Sequence, residues 1–251
     1  MTRIILCGAA GKMGRVIASC CNENAEYKIV AGVDVRNEQY ADFPVYTSIT
    51  EVTEEADAII DFSHPSALSS VLKYAVCRNL PAVIATTGLS PEQTAQVKET
   101  GKDIPVFFTA NMSLGVNLMV ALSRKATQVL KNNFDIEIIE KHHNQKIDAP
   151  SGTALMLADA INEELDNSAQ YMFDRHSRRI KRTKNEIGIH SVRGGTIVGE
   201  HEVIFAGRDE TLSIVHSATS KEVFAVGALK AAEFIKDKEP SLYDMADMLS
   251  L

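Results

Sequence analysis

Arg3-Ile4-Ile5-Leu6-Cys7-Gly8-Ala9-Ala10-Gly11-Lys12-Met13-Gly14 is the stretch that decides the fold. An apolar, partly β-branched run ends at a glycine, and Gly8, Gly11 and Gly14 lead into helical spacing from Met13 to Cys21. Strand, tight turn and helix in that order open a βαβ unit. Gly8 permits the turn, Gly11 lets backbone approach a pyrophosphate, and Gly14 lets the helix lie close against the strand. The helix start adds N–H groups and a positive dipole end, which suit phosphates. The next run, Tyr27 to Asp34, ends in a carboxylate about 20 residues beyond the loop, where an adenosine ribose presents its hydroxyls. Asp34 is therefore the expected ribose ligand. A mere turn cap is the plainer alternative, and the order of strand, loop, helix, strand and acid weighs against it. Asp34 repels a 2′-phosphate, whereas Arg36 and Lys12 can neutralise one, so use of both NADH and NADPH is expected.

Working outward, the same alternation continues to about residue 110. Apolar runs lie at Asp57 to Phe62, Ala82 to Thr86 and Val106 to Thr109, with helical spacing at Pro65 to Arg78 and Pro91 to Thr100. Near-continuous apolarity fits strands covered on both faces, hence a mostly parallel sheet with its ligand crevice at the carboxyl ends of the strands. After Asn111 the pattern changes. A long helix is expected over Gly115 to Lys131, and Phe134 to Ile139 alternates like a strand with one wet face. Ile187 to Val192, Thr196 to Phe205 and Thr211 to Ser217 read as strands, with Gly194-Gly195 and Gly207 to Glu210 as hairpin turns. Glu222 to Lys236 returns to helical spacing, with Val223, Val226, Gly227, Lys230 and Phe234 on related faces, and is expected to rejoin the first domain. The expected fold class is α/β: a Rossmann-like, mostly parallel nucleotide-binding domain over 1–112 and 222–251, and a second α+β domain over 113–221 with a mixed or antiparallel sheet.

Composition narrows the function. The chain has 251 residues, 45% apolar and 24% charged, with 26 Lys plus Arg against 33 Asp plus Glu and a formal charge of -7. Nucleic-acid affinity comes mainly from cations that neutralise phosphates, so a small-molecule partner is expected. The basic stretch Arg175 to Lys184 lacks interleaved aromatics and reads as a solvated or substrate-domain loop. No run approaches the roughly 18 apolar residues of a membrane span, and Met1 to Gly8 lacks the features of a secretory signal, so a cytoplasmic protein is expected. Cys7, Cys20, Cys21 and Cys77 show no C-x-x-C spacing and read as buried reduced thiols.

Proton chemistry and anion recognition concentrate in Glu140-Lys141-His142-His143-Asn144-Gln145-Lys146-Ile147-Asp148-Ala149-Pro150-Ser151-Gly152-Thr153-Ala154. His142 and His143 cannot both face one pocket from a regular strand, so the chain is expected to curve after Glu140, with one imidazole acting and its neighbour binding. Pro150 stops any earlier helix and Ser151 is a good N-cap, offering the N–H groups of Gly152 and Thr153 to a carboxylate. Lys146 adds a full charge, and an imidazole exchanges a proton near neutral pH. Exposed polar histidines beside an ordinary helix start are the bland alternative, outweighed by the combination. A metal site is not expected, because no matching Cys or His-x-x-x-His pair with an acid accompanies these histidines.

The sequence resembles the 4-hydroxy-tetrahydrodipicolinate reductase (dihydrodipicolinate reductase) family nearly end to end. The likeness rests on Gly8 to Arg15, Ala85-Thr86-Thr87-Gly88, Ala110 to Asn117, His142 to Ala154 and Val192 to His201. It implies NAD(P)H-dependent reduction of 4-hydroxy-tetrahydrodipicolinate in lysine and diaminopimelate biosynthesis, with hydride from the nicotinamide and a proton from His142. Lys146 is implied as the catalytic partner and a substrate ligand, and His143 with Gly152 and Thr153 as the rest of the substrate grip. Gly8, Ala9, Ala10, Gly11, Lys12, Met13, Asp34, Ala85, Thr86, Thr87, Thr109, Ala110, Asn111 and Met112 are implied as cofactor contacts. Ala85 stands where many relatives have Gly, and Val35 where an Arg is often found, with Arg36 as the substitute. The second domain is implied to bind substrate and to assemble a homotetramer. A different amino-acid or semialdehyde dehydrogenase, or a non-catalytic NAD(P)-sensing protein, is the alternative that fold alone leaves open.

Overall fold

The computed structural model describes residues 1–131 and 133–250, which divide into two compact units: Met1–Leu114 with Lys221–Leu251, and Gly115–Ser220. The first unit is built on seven strands: β1 (Thr2–Cys7), β2 (Tyr27–Val33), β3 (Val45–Tyr46), β4 (Ala58–Asp61), β5 (Ala82–Ile84), β6 (Pro105–Phe108) and β12 (Ser241–Tyr243). All pair in parallel, in the order β12-β6-β5-β4-β1-β2-β3. The strand order reverses at β1 and β4, so ligand space is expected outside Cys7 and Asp61. Helices α1 (Lys12–Glu23), α2 (Leu68–Arg78), α3 (Pro91–Thr100), α6 (Glu222–Ile235) and α7 (Met245–Leu249) complete this unit. Two apolar layers cover the sheet. One holds Ile4, Leu6, Ile60 and Phe107 with α1 and α6, and the other holds Ile5, Ile59 and Ile84 with α2. Strands buried on both faces explain the unbroken apolar runs in the sequence.

α6 joins this sheet through a different stripe from the one its spacing suggested. Its buried residues include Ala225, Gly227, Ala228, Ala231, Ala232 and Ile235, whereas Val226 is 44% exposed. Small side chains bring the helix axis in: a Cβ on Gly227 would lie 1.7 Å from the Met112 carbonyl oxygen. Among the thiols, Cys7 and Cys21 are buried and Cys20 is partly so, but Cys77 is exposed on α2.

The second unit carries α4 (Leu114–Leu130), which starts at the last residue of the first unit, and α5 (Gly152–Glu163). Its strands are β7 (Asp135–His142), β8 (Gln170–Met172), β9 (Glu186–Arg193), β10 (Gly199–Ala206) and β11 (Thr211–Ala218). They form a mixed sheet in the order β11-β10-β7-β9-β8, with β7, β8 and β9 parallel and β10 antiparallel to both neighbours. Gly207 to Glu210 closes the β10–β11 hairpin through a Gly207 N–H to Glu210 carbonyl bond of 2.8 Å. Gly194-Gly195 is not a hairpin turn: β9 and β10 lie on opposite sides of β7, so this glycine pair starts a crossing. Both turns begin with glycine, and only the long-range parallel pairing of β7 with β9 separates them.

The basic stretch is also more than a solvated loop. Arg175 pairs with Glu137 and Glu186, and Arg182 with Asp135 and Glu137, tying the segment to β7 and β9.

Candidate active site

In the first unit, the glycine loop fits the ends of β1 and β4 so closely that side chains would not fit at two of its glycines. Gly8 has φ +78°, and a Cβ there would lie 2.5 Å from the Phe62 carbonyl oxygen, while one on Gly14 would lie 2.3 Å from the Gly8 and Ala9 carbonyl oxygens. Gly11 caps α1. Asp34, just past β2, is drawn into the loop: its carboxylate accepts from the N–H groups of Ala10 and Arg36, each at 3.0 Å. Arg36 reaches back to the Ala10 carbonyl oxygen at 2.5 Å and to Asp34 at 3.5 Å. Acid and base thus frame the same loop.

Gly8, Gly11, Asp34, Val35 and Ser48 line a crevice of about 300 Å³, and Met13, Ala85, Thr87, Thr109, Asn111 and Met112 line one of about 450 Å³. Phe62 and Ser63 line both, so the two adjoin at the end of β4. Two adjoining crevices, one of them lined by the glycine loop, fit a dinucleotide. Ala9 and Ala10 are buried, as 0% and 3% exposures show, so their part is backbone only. Thr86 turns its hydroxyl inward to donate to Asp61 at 2.8 Å. Asp61 is fully buried, and burial raises its carboxyl above the ordinary range despite hydrogen bonds from Ser63 and Thr86. The sequence reading missed Phe62, Ser63 and the buried Asp61, although their place beyond a parallel strand was the available signal.

In the second unit, β7 stays regular through His142, with burial alternating along it. Ile136, Ile138, Glu140 and His142 share the buried face, so the strand expected to curve after Glu140 instead runs straight on to His142. The strand ends there, and His143 places a buried Nδ1 that has no hydrogen-bond partner.

Glu140 anchors this site. It is fully buried, accepts from His142 Nδ1 at 2.5 Å and from the Ser151 N–H at 3.1 Å, and takes a two-pronged contact from Arg193 at 2.8 and 2.6 Å. Burial pushes its carboxyl up, but hydrogen bonds from Arg193, Ser191 and His142 outweigh that and bring it down to about 2. An ionised carboxylate only accepts, so His142 Nδ1 carries the hydrogen and Nε2 is left for chemistry. His201, opposite Glu140 on β10, meets the His142 ring edge-on at 5.3 Å and shares a 3.0 Å hydrogen bond with Ser151 Oγ. Burial, with His142 nearby, lowers His201 to about 4.

Ser151 caps α5 by accepting from the Ala154 N–H at 3.2 Å. Gly152 opens the helix into clear space, with no atom within 4 Å of where its Cβ would stand. Lys146 Nζ lies 2.8 Å from Asp148. The second unit therefore gathers a proton-bearing imidazole, the Lys146 ammonium and a helix start, which together suit an anionic substrate that gains a proton.

Comparison with known proteins gives the same picture. The family models for the N-terminus and the C-terminus of dihydrodipicolinate reductase match residues 2–112 and 115–249. The chain belongs to the dihydrodipicolinate reductase family. It is 55% identical over 249 residues to the 4-hydroxy-tetrahydrodipicolinate reductase of Caldanaerobacter subterraneus subsp. tengcongensis, covering 99% of this chain and 98% of that one. The Clostridium tetani enzyme of the same name is 50% identical over 250 residues, covering 100% and 98%. The dipicolinate-bound dihydrodipicolinate reductase from Paenisporosarcina sp. TG-14 shares the fold, with a TM-score of 0.84 at 24% identity over 98% of each chain. Dihydrodipicolinate reductases are nicotinamide-dependent oxidoreductases of lysine and diaminopimelate biosynthesis, and that is the activity of this chain.

Proposed function

We propose that this reductase uses NADH or NADPH to reduce 4-hydroxy-tetrahydrodipicolinate, a cyclic imine-type dicarboxylate, and that His142 supplies the balancing proton. The observation that carries the reading is the His142 ring, fixed at Nδ1 by buried Glu140 and standing near the open start of α5. When bound, the reduced nicotinamide supplies the hydride. The backbone from Gly8 to Met13, Asp34, Ala85 to Thr87 and Thr109 to Met112 would hold the dinucleotide in the first unit. Arg36, already beside Asp34, offsets the carboxylate when a 2′-phosphate is present, and Asp34 serves the bare ribose when it is not.

On the substrate side, His142 Nε2 donates the proton that quenches the electron density left by hydride addition. Lys146, the unpartnered His143 Nδ1 and the first turn of α5 at Gly152 and Thr153 grip the carboxylates, through fixed dipoles and charge that need no reorganisation during the reaction. The working species is a homotetramer. The test is cofactor oxidation, followed optically, with the freshly made condensation product of pyruvate and aspartate semialdehyde. Oxidation of both NADH and NADPH is expected only with that product. Oxidation with aspartate semialdehyde alone, or none at all, contradicts the proposal.

A further inference from the structure

We propose that Glu140, clamped by Arg193, is a positioning residue for the proton transfer: it holds His142 in the tautomer and orientation that present Nε2 to the substrate. The proposal rests on His142 being the proton donor. Three strands build the arrangement. β7 supplies Glu140 and His142 two residues apart on one face, β9 supplies Arg193, and β10 supplies His201. A lone buried carboxylate is costly, and the two-pronged guanidinium contact with the Ser151 N–H makes this one tenable. The same guanidinium donates to the Asp148 carbonyl oxygen at 2.7 Å, so the clamp also fixes the loop that carries Lys146.

β10 adds an independent sign that Nε2 is the working nitrogen. Gly199 is the residue beside it, and a Cβ there would come within 3.2 Å of Nε2. With no side chain at 199, that nitrogen keeps its space.

Glu140 carries the charge opposite to that of an imidazolium, and Arg193 the same charge. The other charged or titratable groups around the ring are His201 on β10, with His216 opposite it on β11, and His143, Lys146 and Asp148 beyond β7. A proton donor must be charged to act, so activity falls at the alkaline side as His142 loses its proton.

The pH dependence of kcat, measured for the wild type, Glu140→Gln, Arg193→Met, Arg193→Lys and His142→Gln, tests the proposal. Glu140→Gln should lower kcat about 10- to 100-fold and move the alkaline limb to lower pH. Arg193→Met should move that limb to higher pH, and Arg193→Lys should return it toward the wild-type position. KM for the cofactor should stay constant throughout. A purely structural role would not produce opposite shifts. Limbs that stay fixed, or move the same way, while His142→Gln abolishes turnover overturn the clamp and leave the proton donor standing. Wild-type turnover in His142→Gln overturns the donor assignment and the clamp with it. Gly199→Ala, which leaves Glu140 and Arg193 untouched, keeps the test open if the charge variants do not fold. It should lower kcat with the limb unmoved, and an unchanged kcat counts against Nε2.

Discussion

At the residue scale, Lys146 and Asp148 form a pair at 2.8 Å whose cation is mostly covered and whose carboxylate is mostly exposed. Lys146 holds the Asp148 carboxyl below its usual range, and an incoming substrate carboxylate competes for the same ammonium. Lys146→Ala should lower kcat/KM about 10- to 100-fold, the scale of one charge-assisted hydrogen bond of ~1.5–3 kcal/mol. An unchanged kcat/KM removes Lys146 from the site. Arg36→Ala should raise KM for NADPH and leave KM for NADH nearly constant, and steady-state kinetics with each cofactor checks it. His201 makes a different prediction. It is buried neutral, with its folded value near 4 against an ordinary 6.5, so the unfolded chain binds the proton first. Its contribution is full above about pH 6.5 and is lost as pH falls toward 4, on the order of 3 kcal/mol in all. Replacing His201 by Gln should flatten the loss of stability over that window in denaturant titrations, and an equally steep loss contradicts the assignment.

Elements show why some of the site was legible and some was not. The glycine loop announces itself locally, because a strand, three glycines and a helix follow one another in sequence, and α3 is marked by Ser90 and Pro91 at its start. Gly14→Ala should therefore cost stability and cofactor binding together, since nothing but backbone faces the added methyl at 2.3 Å. A thermal midpoint and cofactor affinity both unchanged would contradict the close helix packing. The alternation from Phe134 to Ile139 gives the period of β7, but not that the strand runs on to His142 and buries Glu140. Its partners Arg193 and His201 lie 53 and 61 residues away, and only the pairing of β9 and β10 with β7 brings them there. The same dependence on distant pairing hid β8 and β12, three-residue strands with few buried positions. It also made Gly194-Gly195 look like a hairpin.

For the whole molecule, one unit is discontinuous in sequence, 1–114 with 221–251, and carries the crevices beside the glycine loop, while the other is the unbroken stretch 115–220 and carries the His142–Glu140 cluster. Among the described residues β11 has a neighbour on one side only, and Leu212 and Val215 on it are 43% and 64% exposed. An exposed edge with apolar side chains is a natural assembly surface. Sedimentation at micromolar concentration should give a tetramer, and charged residues at Leu212 and Val215 should shift it toward smaller species. A monomeric wild type contradicts the assembly.

The division of labour has a direct test in His142→Gln. The chain has no Trp, so nicotinamide fluorescence reports cofactor affinity cleanly. Cofactor affinity should stay within about twofold of wild type while single-turnover oxidation of the bound cofactor slows about 10²- to 10⁴-fold, the range for loss of a general acid. Wild-type oxidation rates in that variant, or loss of cofactor binding along with turnover, would contradict His142 as the proton donor.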